Sequence, residues 1–130
     1  MSARILIVDD EEIVVKSCLR ILADTDYDVD VARGGLEALK KIDDTPYDVL
    51  VVDIMMPQIG GLEVLKHVKH TRPDSEVIIC TGLSQTETAL RARELDAFGY
   101  LPKPFEPDEI LQLIAQALAR RRRREEPPAL

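Results

Sequence analysis

No apolar run in this sequence approaches the roughly 20 residues needed to span a bilayer, so a membrane-spanning helix is excluded. The N-terminus, Met1-Ser2-Ala3-Arg4, lacks the charged start, apolar stretch and small-residue cleavage site of a secretory signal. A cytoplasmic protein is expected. Cysteine is scarce. Cys18 and Cys80 sit in apolar patterns and fit core residues in a reducing compartment. A disulfide or a cysteine metal centre would need more ligands or better spacing. Basic residues are also few outside one run, residues 120–124, which are all arginine. Without those five and the six residues after them, 12 basic and 22 acidic residues remain, a net charge of −10 over residues 1–119. That body is a poor nucleic-acid ligand. No helix-turn-helix, zinc module or second core follows it.

What remains is an ordinary globular balance, 45% hydrophobic and 32% charged, in a length of 130 residues that fits one domain. Short Val- and Ile-rich runs alternate with segments of helical period. Strands are expected at Arg4–Val8, Val29–Ala32, Asp48–Val52, Glu76–Cys80 and Phe98–Leu101. Helices are expected at Glu11 to about Ala23, with Val14, Cys18, Ile21 and Leu22 on one face, then Leu36–Ile42 and Leu62–Val68. Two more follow, Thr86–Leu95 with a thin stripe of Ala89, Ala92 and Leu95, and Asp108 to about Arg122. Five β-α units imply a parallel α/β sheet, because a hairpin cannot make the crossover. Near-continuous apolar strands imply that both sheet faces are covered. Ligands of such sheets bind beyond the carboxyl ends of the strands.

Those ends carry chemistry. The first strand leads into Asp9-Asp10, then Glu11-Glu12; the third ends in Asp53; the fourth in Thr81-Gly82; the fifth in Tyr100-Leu101-Pro102-Lys103-Pro104. Each residue alone has a structural reading: Asp as cap or turn residue, Thr81 as cap, Lys103 as a solvated loop lysine, Tyr100 as core. Their coincidence at one crevice decides against it. Three carboxylates meeting there repel, each pair at roughly 4 Å costing about 4 kcal/mol at an effective dielectric near 20. Lys103 offsets one charge, and an all-oxygen site suits Mg²⁺ for more. A magnesium site with a lysine and an open face suits a phosphoryl group. Asp53, alone on the central strand, is the best placed nucleophile, since aspartyl phosphate is a known covalent intermediate. Thr81 and Lys103 would each hold a phosphoryl oxygen, and Gly82 leaves the approach open.

The segments ILIVDDEE, DVLVVDIMMP, ICTG and GYLPKPF resemble the receiver domain of two-component response regulators, from Arg4 to about Leu118. The resemblance implies a flavodoxin-like (βα)5 doubly wound sheet with the family's strand order 2-1-3-4-5. It makes residues 1–122 the receiver domain and residues 123–130 a tail or the start of a linker, compatible with an output domain outside this sequence. It implies that Asp53 accepts phosphate from a phosphohistidine on a sensor histidine kinase or histidine phosphotransfer protein. Asp10, Asp53 and the main-chain carbonyl of Met55 would ligate Mg²⁺ directly, and Asp9 through water. Thr81 and Lys103 would hold the phosphoryl oxygens. Tyr100 would switch rotamer as Thr81 moves, reshaping the surface of the fourth helix, fifth strand and fifth helix. The Lys103-Pro104 bond resembles the family's cis peptide.

Four positions depart from the family pattern. Gly60 stands where Asp or Asn is usual, and as a cap predicts a more mobile loop with little loss of stability. Asp96 replaces a glycine common at the end of the fourth helix and can still adopt a left-handed conformation at some cost. Gly99 replaces an acid used in one branch's dimer. Apolar Met55 and Leu83 gate water access, predicting a long-lived phosphorylated form. His67 and His70 read as solvated surface. The arginines continue the last helix, favour solvent and suit its dipole, and Glu125-Glu126-Pro127-Pro128 reads as a linker start. Two other classes compete. A phosphohydrolase of this fold usually carries a second Asp two residues after the nucleophile, where this chain has Met55. A phosphate-independent scaffold usually lacks one of the acidic or lysine positions, all present here.

Overall fold

The computed structural model describes residues 2–82 and 86–125. Five strands, β1 (Arg4–Val8), β2 (Asp28–Ala32), β3 (Val49–Asp53), β4 (Glu76–Thr81) and β5 (Gly99–Pro102), alternate with five helices. These are α1 (Glu12–Leu22), α2 (Gly35–Asp44), α3 (Gly61–Thr71), α4 (Thr86–Glu94) and α5 (Pro107–Glu125). All strands pair in parallel, in the order β2-β1-β3-β4-β5. The flavodoxin-like topology expected from the resemblance is the one observed.

The period-2 alternation of a strand divides the core in two. Leu6, Val8, Leu50, Val52, Val77 and Ile79 point to one face, packed with Ile42 of α2, Val64, Leu65 and Val68 of α3, and Ala92 of α4. Ile5, Ile7, Val49, Val51, Ile78 and Cys80 point to the other, packed with Cys18 and Leu22 of α1 and Ile110 and Ile114 of α5. Burial on both faces explains the unbroken apolar runs.

β1 has the expected bounds, and the other elements differ from the expected ones by one to three residues at an end, with α2, α3 and α5 longer and α1 and α4 shorter. Three differences are physical. The buried row of α1 is Val15, Cys18 and Leu22, while Val14 and Ile21 flank it half-buried. Both rows are apolar at helical spacing, so only packing against α5 and the sheet selects the rotation. His67 is not simply solvated, since its Nε2 lies 2.7 Å from Asp43 Oδ1 and joins α3 to α2; His70 is exposed, as expected.

The third difference concerns the arginine run, of which the first two members turn inward. Arg120 pairs with Glu76, which is fully buried, and stacks 5.2 Å over the Phe98 ring. Lys69 Nζ lies 3.5 Å from the same carboxylate. Arg121 binds Asp48 at 2.8 Å, and the Arg4 amide donates to Asp48 at 2.7 Å. Arg122 is exposed. A run of like charges therefore closes the lower pole of the sheet. The thin stripe of α4 is seen in Ala92, fully buried, and half-buried Leu95; the side chain of Ala89 lies outside the described residues. Asp96 adopts φ 69°, the left-handed conformation expected of it, and the Lys103-Pro104 bond is cis.

A buried carboxylate that loses its main cation is costly, about 3 kcal/mol or more. Arg120→Met should lower unfolding stability in urea by about that amount. The double variant Glu76→Leu/Arg120→Met should recover much of the loss, because no buried carboxylate is then left without its main cation.

Candidate functional site

The carboxyl ends of β1, β3, β4 and β5 meet at the upper pole. Asp9 follows β1, where its amide donates to Ala32 O at 3.1 Å. It is 2% exposed, and its Oδ1 accepts the Glu11 amide at 2.9 Å. Asp53 is the last residue of β3, 5% exposed, and its Oδ1 accepts the Met55 amide at 3.3 Å. Asp10 is exposed. One oxygen from each of Asp9, Asp10 and Asp53 lies within 4.8 Å of the others. The sequence expectation that these three converge is met.

Lys103 closes the group. Its amide donates to Thr81 O at 2.8 Å, which pins the loop after β5 to the end of β4. Its Nζ lies 3.0 Å from Asp9 Oδ2 and 3.3 Å from Asp53 Oδ2. Thr81 ends β4, half-buried, opposite Pro102, while Asp53 pairs with the preceding Cys80. Thr81 thus stands one step beyond Asp53 on the neighbouring strand. Tyr100 lies further off. It packs against the core face of α3 and α4, and its hydroxyl is buried without a hydrogen-bond partner among the described residues. Met55 exposes its side chain to 60% beside the cluster. Leu83, its expected partner in gating water, lies outside the described residues.

Two glycines shape the loop after Asp53. A methyl group on Gly61 would overlap the carbonyl oxygen of Asp53 and lie 2.7 Å from Ile54 Cα, both main-chain atoms that cannot yield. Gly60 has φ −84° and room for a side chain, with Ile54 O at 3.4 Å. It caps α3 with no side-chain bond, so the loop is held by the Gly61 amide to Ile54 O, 3.0 Å.

One member of the cluster was not singled out from the sequence. Glu11 Oε1 lies 3.1 Å from Lys103 Nζ. The signal was present in the run Asp9-Asp10-Glu11-Glu12, but nothing in the run says which glutamate turns toward the site. Glu12 instead pairs with Arg33 at 2.9 Å.

Electrostatics follow from the crowding. Burial, then the charge of Asp9, pushes the Asp53 carboxyl up to about 6, against the opposing pull of Lys103 and the Met55 amide. Burial alone would lower Lys103, but the Asp9 hydrogen bond and the fields of Asp53, Asp9 and Glu11 outweigh it and raise its ammonium above the usual range. The thiols are shielded. Burial pushes Cys18 up to about 11 and Cys80 further, which leaves both as protonated core residues. Three oxygen donors, one of them open to solvent, with a surplus of negative charge fit a hard divalent cation such as Mg²⁺.

The family model described as the response regulator receiver domain matches residues 5–115. This chain belongs to that family. The receiver domain is 38% identical to Response regulator MprA of Mycobacterium ulcerans over 99% of its own length and 55% of that protein. It is 39% identical to Transcriptional regulatory protein DltR of Streptococcus agalactiae over 85% of its length and 50% of that protein. It therefore spans about half the length of these regulators. Among solved structures, a CheY-like receiver domain protein from Methanospirillum hungatei superposes with TM-score 0.91 at 30% identity, covering 95% of this chain and 99% of that one. NtrX from Brucella abortus superposes with TM-score 0.90 at 28% identity over 96% of this chain and 29% of that one. In words, the receiver domain is a regulatory module of two-component signalling.

The raised Asp53 carboxyl has a pH consequence. The folded metal-free receiver domain holds this proton up to about pH 6, whereas an unfolded aspartate releases it near 3.9. The folded state thus binds more protons in that window, and the Asp53 contribution to stability falls as pH rises through it. Asp53→Asn should raise the melting temperature of the metal-free protein at pH 7.5. The gain should shrink as pH falls from 6 toward 4, as read by thermal denaturation in EDTA.

Proposed function

We propose that this receiver domain is phosphorylated on Asp53 by a phosphohistidine of a sensor histidine kinase or a histidine phosphotransfer protein. The observation that carries the reading is the Asp53 carboxylate, buried at a strand end, 3.3 Å from Lys103 and clustered with Asp9 and Asp10. An Asp53 oxygen attacks phosphorus, the phosphorus–nitrogen bond breaks, and the imidazole leaves with the electron pair. Asp10, Asp53 and the Met55 carbonyl would hold Mg²⁺ directly, and Asp9 through water. When bound, the ion supplies charge to neutralise the phosphoryl oxygens. Lys103 and Thr81 bind the remaining oxygens from the ends of β5 and β4.

Phosphorylation adds charge where Lys103 and Thr81 converge, so both are drawn toward the new group. Tyr100 then turns as Thr81 moves, and the buried hydroxyl, with no hydrogen-bond partner among the described residues, supports a side chain with a second position to occupy. The surface of α4, β5 and α5 shifts in population between two states. The module is regulatory: with Met55 in place of a second aspartate it performs its own phosphoryl transfer and slow dephosphorylation, and no turnover. Residues 1–122 form the receiver unit, and residues 123–130 a tail or linker start, though α5 runs through to Glu125. The half-length match to transcriptional regulators supports an output domain as its partner in a longer protein, with no nucleic-acid or membrane contact by the receiver itself. The location is cytoplasmic.

Incubation with acetyl phosphate and Mg²⁺ should add one phosphoryl group, acid-stable and alkali-labile, by intact-mass spectrometry. EDTA or Asp53→Asn should abolish the adduct. Continuous phosphate release would instead identify a hydrolase, and no reaction a scaffold. Exposed Met55 stands beside the acceptor, so Met55→Asn should shorten the half-life of the adduct several-fold by admitting an ordered water. An unchanged half-life would remove Met55 from the gating role.

A further inference from the structure

We propose that Glu11 is a positioning residue that tethers Lys103 toward solvent and so sets how readily Lys103 engages an incoming phosphoryl group. The inference rests on the reading of Asp53 as phosphoacceptor. A lysine ammonium has three N–H donors and no acceptor. Lys103 Nζ has three carboxylate partners, Asp9 at 3.0 Å, Glu11 at 3.1 Å and Asp53 at 3.3 Å. All three carboxylates lie within ion-pair reach of the one ammonium group, and Glu11 accepts a hydrogen bond from it. A phosphoryl oxygen must compete with these acceptors for Lys103.

The three are not equivalent. Asp9 and Asp53 are buried and belong to the acidic triad, so a bound cation competes with Lys103 for both. Glu11 is outside that triad, and its side chain is 62% exposed. It is the acceptor that a cation leaves in place. Its main chain is fixed, with the amide on Asp9 Oδ1 at 2.9 Å and the carbonyl accepting the Val15 amide at 3.1 Å. Glu11 caps α1 without a side-chain bond, which leaves its carboxylate free to reach across to β5. Glu11 and Lys103 also line a cleft of about 540 Å³ shared with Pro104 and Phe105. The tether therefore holds the ammonium at the edge of that cleft and competes with Asp53, 3.3 Å away, for it.

Acetyl phosphate supplies a defined test. An Asp53 oxygen forms the new bond to phosphorus, the bond from phosphorus to the bridging oxygen breaks, and acetate leaves with the electron pair. Glu11→Gln keeps the shape and removes the charge. With Mg²⁺ it should speed phosphorylation of Asp53 by about two- to fivefold, the range of an exposed ion pair. In a Lys103→Met background the same substitution should change nothing. An equal acceleration in both backgrounds would show a general field effect on the anionic donor and overturn the tether. No change, or a slower rate, in Glu11→Gln would overturn it as well, while labelling of the unsubstituted protein left the Asp53 reading intact. Failure to label the unsubstituted protein would overturn both. A second readout needs no metal. Melting temperatures of the two single variants and the double variant in EDTA should show a Glu11–Lys103 coupling of about 1–4 °C. Additive shifts would overturn the pair.

Discussion

Three carboxylates confined at one edge of the sheet, two of them against a single ammonium group, are the constraint on which this structure depends. Asp9, Asp10 and Asp53 approach within 4.8 Å because parallel strands deliver their ends to one edge, and β1 and β3 are neighbours there. Lys103 answers part of the repulsion, its backbone held by the hydrogen bond that its amide donates to Thr81 O. Burial, with the remaining surplus of negative charge behind it, appears as the raised Asp53 carboxyl. A site in this condition is poised for a cation and for any ligand that brings its own cation. The same surplus makes the metal-free protein less stable at its functional end than a neutral site would be.

The opposite pole is built on the reverse principle. There a single buried carboxylate, Glu76, is surrounded by cations from α3 and α5, and Asp48 is shared by Arg121 and the Arg4 amide. Charges are matched at the lower end of the sheet and mismatched at the upper end. Between them lie two apolar layers that differ only in which face of each strand they cover. Asp96 follows α4 in the left-handed conformation and lies 3.7 Å from Arg120, so the carboxyl end of that helix is tied to the matched pole.

Much of this was legible in the residues themselves. Val- and Ile-rich runs of five or six residues mark strands buried on both faces, and the acidic, hydroxyl and lysine residues at their ends mark the site. Topology follows once parallel crossovers are required. Other features were not legible, for identifiable reasons. Val14 and Val15 are chemically alike, so the rotation of α1 depends on what packs against it. Glu76 starts a strand and gives no sign that it will be buried, since its cations come from residues 69 and 120. The arginine run looked solvated because its partners are remote in sequence. Glu11 was hidden by its neighbours, in a run where four acids share two different tasks.

The central claim is that the crowded carboxylates form one cation-dependent phosphoryl site. Its most direct test is a crystal structure grown with Mn²⁺ and beryllium fluoride, a phosphoryl mimic, using anomalous scattering to place the metal. The account predicts one manganese among Asp9, Asp10 and Asp53, with the fluoride adduct on the Asp53 carboxylate and Lys103 turned toward it. Manganese bound elsewhere, or an adduct on another side chain, would contradict it.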